Sequence, residues 1–405
     1  MDLIVQKYGG SSVADAEKIK NVARRIVRTR EAGYQVVVVV SAMGDTTDNL
    51  VKLAYQINER PDMRELDVLL STGEVVSSTL LAMALHDMGY PAISLSGAQA
   101  GITTDTAYNQ ARITNINPVR VTRELEKGNI VIVAGFQGIT EEMDITTLGR
   151  GGSDTTAMAL AASLKAIRCE RYTDIDGIYT ADPRFIPEAR KLSEISYEEM
   201  LEMASYGSKA IHPRAVELGE LFQIPILVAS SFNDNPGTLI CEEVSMEVRN
   251  KVRGITRDLD VAKIMVAGVP DKPGIASAIF VPLAEAGISV DTIVQNASIE
   301  NITDLTFTVT RGELKRAMEV IEPVVASIGA RECLSDSTLG KVSIIGTGMQ
   351  NSPGYAARMF NTLSQENINI ELISTSEIRI TCIIEENRVT DAVRALHRAF
   401  EMEIS

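Results

Sequence analysis

Five consecutive valines, Val36 to Val40, leave few options for the fold. A β-branched run with no polar residue at alternate positions suits a strand covered on both faces. Sheets of that kind are mainly parallel, and parallel strands need crossover helices. The flanking sequence supplies one. Leu3 to Tyr8 reads as a short buried strand, and residues 13–31 read as a helix. Ile19, Val22, Ala23, Ile26 and Val27 form its apolar stripe, and Gly33 stops it. Strand, helix and valine strand form a βαβ unit, so the first part of the chain is expected to be an α/β domain.

In open α/β sheets ligands bind beyond the carboxyl ends of the strands. Two loops fall there. Lys7-Tyr8-Gly9-Gly10-Ser11-Ser12 joins the first strand to its helix. Glycines let the backbone approach an anion, the helix start offers free N–H groups, and Lys7 adds a point charge. The common P-loop places its lysine after the glycines, whereas here the lysine comes first. A tight turn with an exposed lysine is the plain alternative. The second loop, Ser41 to Asp48, follows the valine strand and brings Ser41 and Thr47 to the same end of the sheet.

Further along, a helical stretch from about Leu66 to Met88 is expected to break at Ser71-Thr72-Gly73-Glu74. Glu74 reads either as a solvated surface acid or as a clamp for a ligand ammonium. Strands at Ala92 to Ser96 and Asn129 to Phe136 bracket a helix at Val119 to Glu126, and Ile139 to Leu148 reads as a hairpin arm. It leads into Gly149-Arg150-Gly151-Gly152-Ser153-Asp154, a second glycine-rich helix start, with a helix expected from Ser153 to about Ala166. Ser153 is expected to cap it, and Arg150 offers a fork for a carboxylate or phosphate. Asp154 is either a first-turn acid that complements the helix dipole or part of a site. Two such helix starts in one domain suggest two anionic ligands or one ligand held at both ends. Arg171 to Arg184 then crowds Thr, Asp, Tyr and Arg around a turn at Asp176-Gly177.

The net charge of −15 argues against nucleic acid as a partner. The valine run is far too short to span a bilayer, and no signal peptide is expected before the first strand. Cys169, Cys241, Cys333 and Cys382 lack metal spacing and read as reduced thiols of a cytoplasmic protein. With only three histidines in 405 residues, catalysis is not expected to depend on imidazole.

The remainder contains a repeat. Ile264, Gly268, Pro273-Gly274 and Ile288 recur 80 residues on as Ile344, Gly348, Pro353-Gly354 and Ile368. Each copy reads strand, helix, strand, strand, helix. The first copy has a final strand near Ala330 to Leu334, whereas the second ends after its last helix. Lys251 to Thr256 alternates like a strand yet belongs to neither copy. It is expected to complete the second copy's sheet, with the first copy inserted. Two βαββαβ units with one bare face each are expected to associate.

Together, Lys7 to Ser12, Ser71 to Glu74, Gly149 to Thr156 and Thr173 to Arg184 resemble the aspartate kinases of the amino-acid kinase fold, and the repeat resembles their tandem ACT domains. Tyr8 and Ser12 are small departures, since the family more often has Phe and Thr there. The resemblance implies a three-layer α/β kinase domain with a mainly parallel sheet at 1–243. Two ferredoxin-like ACT domains would follow, at 261–335 and at 251–257 plus 341–405. It implies phosphoryl transfer from MgATP to the side-chain carboxylate of L-aspartate, giving 4-phospho-L-aspartate, the first step toward lysine, threonine and methionine. Magnesium would be held mainly by ATP oxygens and water.

By the same resemblance Lys7 bridges the transferred phosphoryl group, Gly9, Gly10 and Ser11 line the phosphates, and Asp154 lies beside them. Arg150 would take the aspartate α-carboxylate and Glu74 its ammonium, with Thr47 and Ser153 also in contact. Ser41, Thr173, Asp174, Tyr179, Asp182, Arg184 and Lys209 would surround the nucleotide. Lysine, threonine or both would be effectors, facing Asp271, Gly274, Ile275, Ala276 and Gln295 of the first ACT unit and Asn369 and Ile370 of the second. A homodimer or higher assembly through the ACT domains is implied, as is a shorter in-frame subunit starting near Met246. Acetylglutamate kinase and glutamate 5-kinase share the fold but lack the ACT pair. A catalytically dead amino-acid sensor is the reading from another class.

Overall fold

A computed structural model of the chain describes residues 1–242, 252–296, 301–350 and 352–403. They form two compact units. One comprises Met1–Tyr179 and the described residues from Lys191 to Glu242; the other comprises Thr180–Arg190 and the described residues from Val252 on. Met246 and Lys251 lie outside the described residues.

In the first unit β1 (Leu3–Tyr8), α1 (Ala16–Glu31), β2 (Gln35–Val40), α2 (Thr46–Ile57), α3 (Met63–Asp87) and β3 (Ala92–Leu95) open the chain. Two short strands, β4 (Ile102–Thr104) and β5 (Ile113–Ile116), precede α4 (Val119–Glu126) and β6 (Ile130–Ala134). The hairpin β7 (Gln137–Ile139) and β8 (Ile145–Thr147) leads into α5 (Gly152–Ser163) and β9 (Arg168–Thr173). Last come β10 (Glu194–Ser196), α6 (Tyr197–Ser205), α7 (Pro213–Phe222), β11 (Ile226–Ser230) and β12 (Thr238–Cys241).

Eight strands make the main sheet, in the order β10-β12-β11-β9-β1-β2-β6-β3. Only the β11–β12 pair is antiparallel. The valine strand lies near its centre, every valine buried, which explains the absence of alternation. Helices α1 and α3 supply Ile19, Val22, Ile26, Leu81 and Leu85 to the core on one side. The short strands β5-β4-β7-β8 form a separate small sheet.

Helix α3 runs without interruption through Ser71-Thr72-Gly73-Glu74, contrary to the break expected from those residues. Ser71 and Thr72 donate their hydroxyls to the carbonyls of Val68 and Leu69, at 2.8 and 2.7 Å, so they satisfy themselves inside the helix. Gly73 is there for proximity: a Cβ on it would stand 2.8 Å from the Ala42 Cβ, so it lets the helix press against the loop after β2. By length and composition α3 could cross a membrane. Its buried side, however, carries Asp67, Ser71, Glu74, Ser77 and Ser78, a polar face turned to the protein.

In the second unit the repeat is explicit. The first copy contains β14 (Ala262–Pro270), α8 (Ile275–Glu285), β15 (Ile293–Gln295), β16 (Ile302–Val309), α9 (Leu314–Ile328) and β17 (Glu332–Asp336). The second contains β18 (Leu339–Ile345), α10 (Tyr355–Gln365), β19 (Leu372–Thr375), β20 (Arg379–Glu385) and α11 (Val389–Ala399). The sheet orders are β15-β16-β14-β17 and β19-β20-β18-β13, where β13 is Gly254–Asp258. Thus β13, from before the first copy, occupies in the second sheet the position that β17 holds in the first. It pairs antiparallel with β18 from Gly254↔Ile345 to Asp258↔Lys341. Val261, Leu339, Leu372 and Ile383 form an apolar cluster that includes residues of both copies. The segment Thr180–Arg190 is bound within this unit. The Thr180 carbonyl accepts from the Ile255 N–H at 2.7 Å, the Thr180 hydroxyl meets His397 Nε2 at 2.9 Å, and Arg257 stacks on the Phe185 ring at 3.3 Å.

Candidate active site

The carboxyl ends of β1, β2 and β9 converge on a cleft of about 1260 Å³ in the first unit. Eight residues singled out in the sequence line it: Lys7, Gly10, Ser41, Thr47, Glu74, Arg150, Ser153 and Asp154. Five cationic side chains (Lys7, Arg112, Arg150, Arg171, Arg214) face three carboxylates (Glu74, Asp154, Glu217). In a chain of net charge −15 this is a local cationic basin, suited to an anionic ligand.

Lys7 stands near the end of β1 and is buried. Its ammonium lies 2.7 Å from Asp154 Oδ1 in the first turn of α5. Burial lowers the Lys7 pKa, with Asp154 working against that shift. Burial alone would raise the Asp154 carboxyl, but Arg171 and Lys7 outweigh it and hold it far below the usual carboxylate range. Asp154 is therefore held charged in the cleft lining, and its place in the first turn of α5 also lets it complement the helix dipole.

The loop before α1 is shaped by contact with the loop after β2. Gly10 O accepts from Gly44 N–H at 3.1 Å, and a Cβ on Gly10 would stand 2.8 Å from the Ala42 carbonyl oxygen. Ser12 turns inward to Ser231 at 2.8 Å, while Ser11 stays exposed. The α5 start is also glycine-dependent. Gly151, at φ 71°, is the residue before the helix, and a Cβ there would overlap the His212 ring. Ser153 lies inside the first turn and makes no cap, so the expected capping role passes to the left-handed Gly151.

Glu74 is buried on α3. Its Oε1 accepts the Ala42 N–H at 3.1 Å, while Oε2 is buried without a partner among the described residues. Burial pushes its pKa up to about 7. An orphaned carboxylate oxygen beside a ligand cleft suits a cationic group of the ligand. Arg150 is exposed in the same cleft. Behind it, Asp67 accepts the N–H groups of Thr147 and Asn109 and the Thr147 hydroxyl, at 2.6 to 3.2 Å, which ties the segment before Arg150 to α3.

The remaining residues expected around a nucleotide are arranged differently. Thr173, at the end of β9, donates to Asp174 at 3.0 Å. Tyr179 donates to Asp176 at 2.7 Å, and Lys209 is exposed. Asp182 and Arg184 pair with each other at 2.7 Å within the segment that groups with the second unit. In the repeat, Asp271, Gly274, Ala276, Gln295 and Asn369 are exposed, Ile370 is half-buried, and Ile275 joins the core of the first copy. Gly274 is the left-handed residue that starts α8.

Sequence reasoning gave no role to Arg171, His212 or Arg214, all of which line the cleft. Arg171 had a legible signal: it lies two residues before Thr173, so it shares that residue's face of the strand. His212 and Arg214 had none, because α7 reaches the cleft only through packing on α5.

Residues 2–230 match the amino acid kinase family, and residues 263–325 and 342–400 each match an ACT domain model. Fold and site thus define an amino acid kinase that carries ACT domains. The aspartokinase of Pseudomonas aeruginosa is 52% identical over 406 residues, covering 100% of this chain and 98% of that protein. That of Thermus thermophilus is 50% identical over 405 residues and covers both chains fully. Escherichia coli aspartokinase III, solved in complex with aspartate and ADP, shares the fold with a TM-score of 0.83 at 24% identity, covering 99% of this chain and 100% of that one. The chain belongs to the aspartokinase family.

Proposed function

We propose that the protein transfers the terminal phosphoryl group of ATP to the side-chain carboxylate of L-aspartate, giving 4-phospho-L-aspartate. The observation that carries this reading is one cleft holding a Lys7–Asp154 pair, an orphaned Glu74 oxygen and an exposed Arg150. Glu74 takes the substrate ammonium and Arg150 its α-carboxylate, with Thr47 and Ser153 beside them. Lys7 neutralises the phosphoryl group in flight, and Gly9, Gly10 and Ser11 line the phosphates. Ser41, Thr173, Asp174, Tyr179 and Lys209 belong to the nucleotide side. The attacking carboxylate, with a pKa of about 4, is already ionised at neutral pH and needs no general base. Catalysis then rests on positioning and charge neutralisation.

Among the described residues no three His, Cys, Asp or Glu side chains form a metal cluster. Asp154 is already bound by two cations. Magnesium would be held mainly by ATP oxygens and water, where its charge would further neutralise the phosphates. Four free cysteines fit a cytoplasmic enzyme.

Turnover with ATP and aspartate, compared with glutamate and N-acetylglutamate, tests the reading. Aspartate should give the highest kcat/KM, because N-acetylglutamate has no ammonium for Glu74. Arg150→Ala should raise the aspartate KM by about tenfold or more while the ATP KM changes far less. A preference for N-acetylglutamate, or loss of ATP affinity alone, would reverse the pocket assignment.

Control is proposed to lie in the second unit, divided as 261–335 and as 251–257 with 341–405, after a kinase domain of 1–243. The β13–β18 ladder supports that division. Lysine, threonine or both are the effectors, and assembly runs through the ACT units, with a shorter subunit from Met246. The effector meets Asp271, Gly274, Ile275, Ala276 and Gln295 in one copy and Asn369 and Ile370 in the other. Asp271, exposed just before α8, can pair with an effector ammonium. In titrations with lysine and threonine, singly and together, Asp271→Ala should raise the half-inhibitory concentration at least about tenfold, or ~1.4 kcal/mol. Unchanged inhibition would move the effector site elsewhere in the repeat.

A further inference from the structure

Arg171 and Lys7 are partners in the parallel β1–β9 ladder. Both reach the same carboxylate. Lys7 Nζ lies 2.7 Å from Asp154 Oδ1, and Arg171 Nε donates to both Asp154 oxygens at 3.2 and 3.1 Å. The rest of the guanidinium is not used up. Its Nη1 is buried and has no hydrogen-bond partner among the described residues, although the side chain lines the cleft.

A buried donor left without an acceptor is costly, the more so on a charged group. If Arg171 served only to anchor Asp154, the Nε edge would suffice and Nη1 would be better placed in solvent. A guanidinium fork can instead hold a carboxylate along one edge and a phosphoryl oxygen with another nitrogen. The charges point the same way. One carboxylate between two cations leaves one positive charge in a cleft where a terminal phosphate is to be transferred.

We propose that Arg171 is a second phosphoryl-binding cation of this site: its Nε edge holds Asp154, and its Nη1 donates to an oxygen of the phosphoryl group that passes from ATP to the acceptor carboxylate. The inference rests on the kinase reading above. Arg171 forms no covalent bond. Its second task is to keep Asp154 paired when Lys7 turns from that carboxylate to the incoming phosphate.

The test uses full-length Arg171→Met and Arg171→Lys. Turnover is measured with ATP and aspartate, and MgATP and MgADP binding by calorimetry. Arg171→Met should lower kcat by about thirtyfold or more, with little change in the aspartate KM. It should weaken ATP by about tenfold more than ADP, since the contact is to the terminal phosphate. Arg171→Lys keeps a cation for Asp154, so it guards against a folding defect in the methionine variant. A single ammonium cannot serve both anions, and the ATP–ADP difference should stay lost. Turnover within threefold of the parent in both variants would overturn the proposal, and so would equal weakening of ATP and ADP. A parent protein that shows the Arg171-dependent ATP preference yet does not phosphorylate aspartate would sink the substrate assignment while sustaining the phosphate contact.

Discussion

Glu74→Gln should make the free protein more stable above pH 7 and at the same time raise the aspartate KM at least about thirtyfold, or ~2 kcal/mol. Both effects come from one buried carboxylate. In the unfolded chain a glutamate titrates near 4.3, whereas burial moves Glu74 up to about 7. Between those values the folded state binds the extra proton, so stability falls as pH rises through that window. The loss is complete above the folded pKa and amounts to roughly 4 kcal/mol. Glutamine carries no charge and can still accept the Ala42 N–H. The difference in melting temperature between variant and parent should therefore grow from pH 5 to pH 8. The cost is repaid when the ammonium of aspartate arrives, because it pairs with the ionised form. Aspartate affinity of the parent should accordingly weaken as pH falls below 7. Melting curves with the same pH dependence in both proteins, together with an ordinary aspartate KM, would refute this account.

Lys7→Ala should lower kcat by about a hundredfold or more with much smaller changes in either KM. The ammonium matters most where the phosphoryl group carries its charge between two oxygens, which is a feature of the transition state. The structure adds a reason to expect a clean result. Removing Lys7 does not leave Asp154 unpaired, since Arg171 still holds both its oxygens. The fold should survive with a modest change in melting temperature, which separates chemistry from stability. A variant with near-normal kcat would reduce Lys7 to a turn residue.

Local pattern was enough for much of this protein. The valine run requires a strand covered on both faces, and the two glycine-rich helix starts mark where the backbone can approach an anion. The 80-residue recurrence exposes two copies of one unit, one of them short of a strand. These features depend on neighbours in sequence, so they can be read there. What depended on distant partners could not. Ser71 to Glu74 looks like a break because hydroxyls and glycine are poor helix formers. Only packing on Ala42 shows that Gly73 serves a close approach, and only its surroundings raise the Glu74 pKa. That Lys7 and Arg171 stand side by side is a matter of strand register. That both reach Asp154 depends on α5 starting where the two strands end. The same holds for His212, which touches the Gly151 turn only because α7 packs on α5. Composition and periodicity select the elements; the charge pattern of the cleft exists only once strands far apart in the chain are laid in register.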